Sequence, residues 1–396
     1  NSRNDVEYAE PDYIIHVNNN YEDDELYNLQ WGLNNNEVED VDINYEKYVA
    51  NFKEDLPKNN VIVGVIDTGI DLNHEDLKEN LWINVDEIPD NGIDDDNNGY
   101  IDDIHGYDFV NNDGSPLDDN GHGTHCSGVI AAIDNDKGVI GINPNAKIMG
   151  LKFLNSDGSG YSSNAIKAIE YSINNGVQIT SNSWGGGGYS QAMYDVINEA
   201  KNANILFIAA AGNSSANMNT SSHFPASYDL DNIVVVGSSD ESDNLSYFSN
   251  YGNESVDLLA PGSNISSTYL NNGYAFASGT SMAAPHVTGI LSVMIDKYPN
   301  LSFETMKYEI MDKGDITNGA ENNTISKKRA NINKLMTSFN PSKNWFEIVG
   351  DKTGNLISED FINLKINIQA NDAESKNGVL KVKLNNKEET FNINLN

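Results

Sequence analysis

The sequence has a single cysteine, Cys126, among 396 residues, so no disulfide bond can form within the chain. The lack of disulfides does not by itself exclude export. Basic residues are also scarce, because 24 Lys and Arg stand against 59 Asp and Glu and give a formal net charge of −35. Such a surface repels nucleic acids and anionic membranes, so we exclude both classes of partner. The acidic excess indicates either a solubilising surface or binding of metal cations, and both can apply.

Long apolar runs are missing as well. None approaches the roughly 18 residues that a membrane helix requires. The longest useful run, 205–211, is typical of a buried strand. Residues 1–20 lack the basic segment followed by an apolar segment that marks a signal peptide. These features fit an intracellular chain or a processed or trimmed form of a longer one, and they do not choose between the two.

Short apolar segments alternate with segments of helical periodicity. The segment 61–66, which reads VIVGVI, is almost wholly apolar, as expected for a strand that is covered on both faces. Further strands of this kind are predicted at 148–151, 177–179, 205–211 and 233–236. Helices are predicted at 163–174, 192–203 and 282–298, the last of which Pro299 ends. This alternation predicts an α/β fold, a three-layer α/β/α domain with a mostly parallel sheet.

The pattern changes near residue 340. Segments 364–370, 379–384 and 390–395 alternate apolar and polar residues, which predicts antiparallel strands with one solvated face. The boundaries that we infer are an extended segment at 1–20, a large domain at 21–340 and a small β-rich C-terminal domain at 342–396. The last predicted strand runs almost to the final residue, which is consistent with a truncated C-terminal domain.

Three short segments carry residue types that suit covalent catalysis. Asp67 follows the first core strand, His122 begins the segment HGTHCSG, and Ser281 lies within GTSMAAPH ahead of an apolar helix. Each residue has a plain structural explanation when it is taken alone. An Asp after a strand is often a turn or cap residue, a single His is more often structural than catalytic, and Ser is a common helix N-cap.

Together the three residues meet the requirements of one nucleophilic mechanism. Ser281 needs a base, which His122 can supply near neutral pH, and Asp67 can fix the tautomer of that imidazole and stabilise its charged form. A Ser in the first turn of a helix also lies beside free backbone amides that suit an oxyanion. Asn213 follows the apolar run 205–211 and can donate its side-chain amide to the same oxyanion.

Five motifs, DTG, HGTHCSG, SWGG, AAAGN and GTSMAAPH, occur in this order within residues 26–337. They resemble the motifs of the subtilisin family of serine proteases, whose triad follows the chain order Asp, His, Ser. The resemblance implies a serine endopeptidase that works through an acyl-enzyme, with Asp67, His122 and Ser281 as its triad. It also implies that Asn213 is the oxyanion donor, assisted by the backbone N–H of Ser281.

The resemblance further implies a primary specificity pocket for the substrate. One wall is also the edge strand that pairs with the substrate backbone, and it consists of Ser183, Trp184, Gly185 and Gly186. The opposite wall consists of Ala210, Ala211 and Gly212. His223 matches the floor of the pocket, where many relatives have a smaller residue.

An acidic loop between Asp67 and His122 has the pattern of a calcium site. Side-chain oxygens occur at alternate positions before a glycine, which lets them converge on one ion. Loop positions 1, 3, 5 and 9 are occupied by Asp94, Asp96, Asn98 and Asp102. Position 12 is His105 and not Glu, so the loop is not a complete EF-hand. The alternative interpretation is a solvated acidic loop.

A second calcium site is implied by the resemblance alone. Its side-chain ligands would be Asp76 and Asn135, and backbone oxygens would come from Ile133, Lys137 and Val139. A further ligand is expected from the N-terminal arm, for which we choose Asp23. Both sites would hold structural Ca²⁺.

The resemblance also implies protein or peptide substrates and the chain's own propeptide as inhibitor and folding aid. On this view residues upstream of about 20 resemble the end of a propeptide, and the enzyme is a secreted, monomeric product of a zymogen. Cys126 is interpreted as a small buried residue and not as a chemical group, although sensitivity to heavy metals stays open. The alternative function is a catalytically silent, subtilisin-like binding or regulatory module, but no triad or oxyanion position is substituted.

Overall fold

We describe the protein from a computed structural model. The description covers residues 27–339, apart from residues 36, 39, 54, 59 and 60, and the backbone of six short strands outside that range. The contacts divide the chain into two units, Asn1–Ser338 and Phe339–Asn396. The α-helices are α1 (Tyr45–Phe52), α2 (His122–Ala131), α3 (Ser162–Asn174), α4 (Gln191–Asn202), α5 (Thr280–Lys297), α6 (Phe303–Asp312) and α7 (Ile332–Ser338).

The strands of the first unit fall into three sheets. Up to the middle of the unit they are β1 (Ile14–Val17), β2 (Asn20–Glu22), β3 (Ile62–Asp67), β4 (Gly106–Asp108), β5 (Lys147–Lys152), β6 (Ser159–Tyr161), β7 (Ile179–Asn182) and β8 (Trp184–Gly185). They continue with β9 (Leu206–Ala210), β10 (Ile233–Ser239), β11 (Leu258–Pro261), β12 (Ile265–Tyr269), β13 (Gly273–Ser278), β14 (Asp315–Ile316) and β15 (Lys328–Arg329).

The largest sheet has nine strands in the order β14-β15-β11-β10-β9-β7-β3-β5-β4. All neighbouring strands are parallel except β14 and β15, which are antiparallel. Helices α3 and α4 pack together against one face, and the buried helices α2 and α5 pack against the other. The prediction of a three-layer α/β/α domain with a mostly parallel sheet is therefore confirmed.

The apolar segments of the sequence locate the central strands well because those strands are buried on both faces. Every residue of β9 and β10 is buried. One boundary differs, since the apolar segment 177–179 predicts a strand but β7 begins only at Ile179. Val177 precedes the strand and is buried in the core, so its hydrophobicity reports packing and not strand conformation.

The hairpin β12–β13 is not predicted from the sequence. Its first strand reads ISSTY, yet Ser266, Ser267 and Thr268 are buried. The hydroxyl of Ser267 donates to the carbonyl of His125 at 2.8 Å, and that of Thr268 donates to the carbonyl of Thr124 at 2.8 Å. Ser267 and Thr268 can be buried because α2 supplies their acceptors, so hydropathy alone does not reveal the strand.

The second unit contains two antiparallel strand pairs. These strands are β16 (Phe346–Val349), β17 (Lys365–Ile368), β18 (Asn377–Leu384) and β19 (Lys387–Asn394). β16 pairs with β17, and β18 pairs with β19. The three predicted strands of this region overlap β17, β18 and β19. In the part of the chain that the structure describes, no helix has the length and apolarity needed to cross a bilayer.

Candidate active site

Asp67 and His122 meet at the carboxyl end of β3. Asp67 is the last residue of β3, and His122 is the first residue of α2. The Nδ1 atom of His122 lies 2.6 Å from Oδ1 of Asp67, and both side chains are buried, with 0% and 1% exposure. The same Oδ1 accepts the N–H of Thr68 at 2.7 Å, which fixes the carboxylate. The structure thus brings these two predicted residues into one hydrogen bond.

This bond sets the chemical role of the two imidazole nitrogens. A neutral imidazole that donates its Nδ1–H to a carboxylate carries its lone pair on Nε2. Nε2 of His122 is buried and has no hydrogen-bond partner among the described residues. It is therefore placed to accept a proton from a neighbouring group, and the Asp67 carboxylate would stabilise the resulting imidazolium.

Ser281 is the second residue of α5 and is completely buried. Its hydroxyl donates to the backbone carbonyl of Ser183 at 3.0 Å. The hydroxyl of Ser183 in turn donates to the carbonyl of Ser281 at 2.8 Å. These two bonds tie the start of α5 to the residue between β7 and β8.

The Asn213 side chain is held by the first residue of α5. Its Oδ1 accepts the N–H of Thr280 and the hydroxyl of Thr280, both at 2.9 Å. The Thr280 hydroxyl oxygen also accepts the N–H of Gly212 at 3.0 Å. The first two bonds orient the Asn213 amide, with its oxygen toward Thr280. Thr280 lies within the motif GTSMAAPH, but the motif does not show its role, because that role depends on a contact with Asn213, a residue distant in sequence.

The three groups of pocket residues lie together at the carboxyl edge of the sheet. β8 contains Trp184 and Gly185, β9 ends at Ala210, and the loop with His223 joins β8 through the bond from Gly186 N–H to the Phe224 carbonyl at 2.9 Å. Trp184 itself is buried against the ring of Phe153, with 4.9 Å between the ring centroids. The Trp184 side chain therefore packs on the core side of β8 and supports this wall of the pocket.

The imidazole of His223 lies against both glycine walls. A Cβ atom at position 185 would fall 2.2 Å from its Nε2, and a Cβ atom at position 212 would fall 2.9 Å from it, so a side chain at either place would require the ring to shift. The Nε2 atom is buried and has no hydrogen-bond partner among the described residues. Burial lowers the pKa of His223 below its usual value, so the ring is neutral near pH 7.

The N-terminal strands pair with strands that lie close in sequence to Ser183 and Ser281. β1 lies between β6 and β8 and is antiparallel to both, with His16 opposite Gly185 and Val17 opposite Trp184. β2 pairs with β13, the strand that leads directly into α5, with Asn20 opposite Ser278. The N-terminal strands thus pair with the strand that follows Ser183 and with the strand that precedes Ser281.

Two further histidines and the cysteine near the triad are buried and contact backbone carbonyls. His125 is buried with Nε2 at 2.9 Å from the Ile265 carbonyl, and burial lowers its pKa to about 3. Burial likewise lowers the pKa of His286 to about 4. Cys126 is buried with its Sγ 3.4 Å from the Ser281 carbonyl, and burial raises the pKa of its thiol. A protonated, enclosed thiol is a poor nucleophile.

The Asp76 carboxylate has surroundings that suit a cation. It is fully buried, and its three donors among the described residues are all uncharged. They are the side-chain amide of Asn135 at 3.0 Å, the N–H of Val139 at 3.2 Å and the hydroxyl of Tyr274 at 2.8 Å. A buried carboxylate without a cation is costly, so a divalent ion would fit here. Asp23, the proposed ligand from the N-terminal arm, lies outside the described residues.

Two carboxylates of the acidic loop lie close to Glu87, which is not part of the loop's motif. Possible ligand oxygens of Glu87, Asp94 and Asp96 lie within 4.8 Å of one another. Glu87 is buried and accepts the N–H groups of Asp95, Asp96 and Asp102. The side-chain amide of Asn98 donates to Asp96 at 2.9 Å, so Asn98 stays beside this group.

The Asp102 carboxylate lies apart from this group. It accepts the N–H groups of Asn91 and Gly92 at 3.0 Å and 3.1 Å. The spacing of the loop therefore locates Asp94 and Asp96 but does not reveal Glu87, which lies outside the repeating pattern.

Comparison with known proteins agrees with this geometry. The sequence profile of the subtilase family matches residues 58–335. Subtilisin-like protease 1 of Plasmodium berghei (strain Anka) is 39% identical over 300 residues, which are 71% of this chain and 49% of that protein. Subtilisin DY of Bacillus licheniformis is 39% identical over 245 residues, which are 61% of this chain and 79% of that protein. The chain spans about half the length of the Plasmodium relatives that it matches.

A solved structure shares the fold. A cold adapted subtilisin-like serine proteinase aligns with a TM-score of 0.56 and 32% sequence identity, covering 68% of this chain and 90% of that chain. The family profile alone accounts for more than two thirds of the 396 residues. The chain belongs to the subtilase family.

Proposed function

We propose that the chain is a serine endopeptidase whose triad is Asp67, His122 and Ser281. The observation that carries this proposal is the buried hydrogen bond of 2.6 Å between His122 and Asp67, which leaves Nε2 of His122 without a partner in the described residues. In the proposed mechanism this Nε2 atom is the base that accepts the proton of the Ser281 hydroxyl. The family membership supports the same assignment.

The reaction follows from these positions. Ser281 turns its hydroxyl from the Ser183 carbonyl toward His122, whose Nε2 takes the proton as Oγ attacks the substrate carbonyl carbon. The tetrahedral intermediate carries a negative oxygen, which the Asn213 amide and the N–H of Ser281 stabilise. As the C–N bond breaks, His122 gives the proton to the leaving amine. Water then repeats the sequence on the acyl-enzyme and releases the acid.

Substrate binding by strand addition is supported by β1. This segment forms antiparallel pairs with β6 and β8 at once, so the cleft accepts an extended backbone between two edge strands. Backbone pairing fixes the chain direction, while the pocket formed by Gly185, Gly212 and His223 receives one side chain. Extended segments of proteins or peptides are the substrate class that fits such a cleft.

We also propose that the first 20 or so residues are the end of a propeptide that inhibits the enzyme before maturation. β1 fills the cleft, β2 pairs with β13, and both His122 and Ser281 have 0% exposure. A cleft that is filled by the chain's own strand is closed to other substrates. We further propose that the enzyme is secreted and monomeric, as expected for a zymogen of this kind.

Two calcium sites are proposed to stabilise the domain without taking part in the chemistry. Asp76 and Asn135, with backbone oxygens of the loop 133–139, would hold one ion. Glu87, Asp94 and Asp96, with Asn98, would hold the other. The ion would supply charge neutralisation and cross-linking of loops. Neither group includes a triad residue.

Removal of calcium should destabilise the protein but leave the chemical step unchanged. Ions that bind only the folded state stabilise it by about 2.7 kcal/mol when present at a hundredfold excess over the dissociation constant. Chelator should therefore lower the melting temperature and speed self-digestion, because opened loops become substrates. Scanning calorimetry and initial rates measured within seconds of mixing check the two effects separately.

The matched control for this prediction is Asp76→Asn, which should lower the melting temperature and shrink the further effect of chelator. An immediate loss of activity at an unchanged melting temperature would indicate a catalytic metal. No change in either quantity would mean that the acidic loop and Asp76 bind no ion.

The endopeptidase proposal is tested by covalent labelling. A fluorophosphonate probe reacts with a serine only when a functioning base activates it. Labelling at Ser281, found by mass spectrometry of the digested protein, supports the enzyme. A protein that is folded and freed of its N-terminal segment but stays unlabelled would instead be a catalytically silent binding module.

A further inference from the structure

Asn250 lies in the loop between β10 and β11 and is buried, with an exposed fraction of 2%. Its side-chain amide forms three hydrogen bonds within the described residues, and all three go to the backbone within three residues of Asn213. The nitrogen donates to the carbonyl of Ala211 at 2.7 Å, and the oxygen accepts the N–H groups of Ser214 at 3.0 Å and Ala216 at 2.9 Å. One side chain therefore holds the chain both before and after Asn213.

The backbone around Asn213 has a conformation that depends on such support. The chain leaves β9 at Ala210 and bends, with positive φ angles of 99° at Gly212 and 52° at Ser215. A positive φ is uncommon for a residue other than glycine, and it persists only where the surroundings fix it. The two N–H groups that converge on the Asn250 oxygen belong to the residues on either side of Ser215. The Asn250 amide thus fixes the bend from inside.

The side chain and the main chain of Asn213 are held by different residues. Thr280 bonds to the amide oxygen and so sets the orientation of the amide. Asn250 bonds to the neighbouring backbone and so sets the point from which the amide extends. An oxyanion donor is effective only within hydrogen-bond distance of the oxygen that becomes negative. A misplacement of about 1 Å can cost about a hundredfold in rate.

We propose that Asn250 is a positioning residue, which holds the Asn213 amide where it can donate to the oxyanion. This inference rests on the proposed endopeptidase function, and it identifies a further residue on which the same step depends. Asn250 acts through the backbone of the bend and has no part in proton transfer. No motif in the sequence reveals this role, because it depends on contacts across more than 30 residues.

A second route from Asn250 to activity has to be separated from this one. The amide bonds to Ala211, and the backbone N–H of Asn250 donates to the carbonyl of Gly212 at 2.8 Å. Both of these residues belong to the proposed pocket wall. A shifted wall would change binding of the substrate in the ground state and in the transition state alike, whereas a misplaced oxyanion donor lowers kcat.

The first measurement is the steady-state kinetics of Asn250→Ala with one peptide that the fully processed wild-type enzyme cleaves. The substitution removes all three side-chain bonds and introduces no charge. We expect kcat to fall about ten- to a hundredfold with a much smaller change in KM, because the Asn213 amide is displaced but still present. Rates are expressed per Ser281 that the fluorophosphonate probe finally labels, so partial folding of a variant does not affect them.

The second measurement is a double-mutant cycle with Asn213→Leu. In that background the Asn250→Ala substitution should lower kcat by no more than about a further twofold, because no donor is left to misplace. If Asn250 acts instead on the pocket wall or on general stability, its full cost would persist in the Asn213→Leu protein. The cycle therefore gives a result that a merely structural role would not give.

Asn232 offers a matched control. It is also fully buried, and its amide nitrogen donates to the carbonyl of Ile205 at 3.0 Å. It precedes β10 and lies beside the amino end of β9, whereas Asn213 follows the carboxyl end of that strand. Asn232→Ala should lower the melting temperature and keep the wild-type kcat. Asn250→Leu, which nearly keeps the volume of the side chain, is the second test variant if Asn250→Ala fails to fold.

Four results would overturn the proposal. They are a wild-type kcat in the Asn250 variants, a loss confined to KM, an equal loss of kcat with and without Asn213→Leu, and the same loss of kcat in Asn232→Ala. Failure of the endopeptidase function itself would look different, because the wild-type protein would cleave no peptide and would carry no fluorophosphonate label at Ser281.

Discussion

Ser281→Ala should reduce peptide-bond hydrolysis by a factor on the order of 10⁶, as removal of the triad serine does in subtilisin. The reason is that the reaction loses its nucleophile and the Asp67–His122 pair has no proton to accept. The fold should persist, because the hydrogen bond that the substitution removes from the Ser281 hydroxyl to the Ser183 carbonyl is worth only about 1 kcal/mol. Turnover of a peptide substrate and the circular dichroism spectrum check the two parts.

The same variant also reports on maturation. If β1 and β2 hold the scissile bond beside Ser281, the Ser281→Ala protein should keep every residue upstream of that bond, while the wild-type protein loses them. Intact-mass measurement on both proteins distinguishes these outcomes. Substantial turnover by Ser281→Ala, or N-terminal cleavage by that purified variant alone, would contradict the assigned nucleophile.

Asn213→Leu should lower kcat by roughly 10²–10³, the usual loss for one oxyanion donor, with a much smaller change in KM. The amide matters in the transition state, where the substrate oxygen becomes negative, and less in the ground state. Leu has a similar volume but cannot donate. Steady-state kinetics on a short peptide, where binding and chemistry are separable, provides the measurement.

A second variant controls for the contact with Thr280. Asn213→Asp keeps an oxygen that can accept the N–H and hydroxyl of Thr280, so the start of α5 stays anchored as in the wild type. It lacks the donor and adds a negative charge, so its loss of kcat should equal or exceed that of the Leu variant. If the Asn213→Asp variant supports wild-type turnover, the role of Asn213 is to hold Thr280 and not to stabilise an oxyanion.

The parts of the fold that the sequence predicts are those where hydrophobic burial and periodicity agree. β9, β10 and α5 are fully or almost fully buried, so their apolar residues mark them directly. The β12–β13 hairpin escapes prediction because its buried residues include Ser267 and Thr268, which bond to α2. Hydrophobic periodicity shows which residues are kept away from water. It does not show which distant hydrogen-bond acceptor a buried polar side chain has.

The candidate site shows the same limit. Asp67, His122, Ser281 and Asn213 lie in short motifs whose order alone suggests a shared mechanism, and the structure places the first two in contact. The residues that orient them, such as Thr280, act through bonds to partners far away in the sequence. Glu87 is a further case, because its carboxylate reaches the acidic loop from outside the spacing that identifies Asp94 and Asp96.

The position of β1 and β2 within one chain has a kinetic consequence for the proposed maturation. If Ser281 cleaves a segment that is already paired with β8 and β13 of the same molecule, the segment needs no diffusion to reach the nucleophile, and its cleavage is a unimolecular event with a high effective concentration. The half-time of the first cut would then be the same at nanomolar and micromolar protein. Digestion of a second molecule, by contrast, slows in proportion to dilution. A newly folded molecule would thus mature at its own rate even where its neighbours are few.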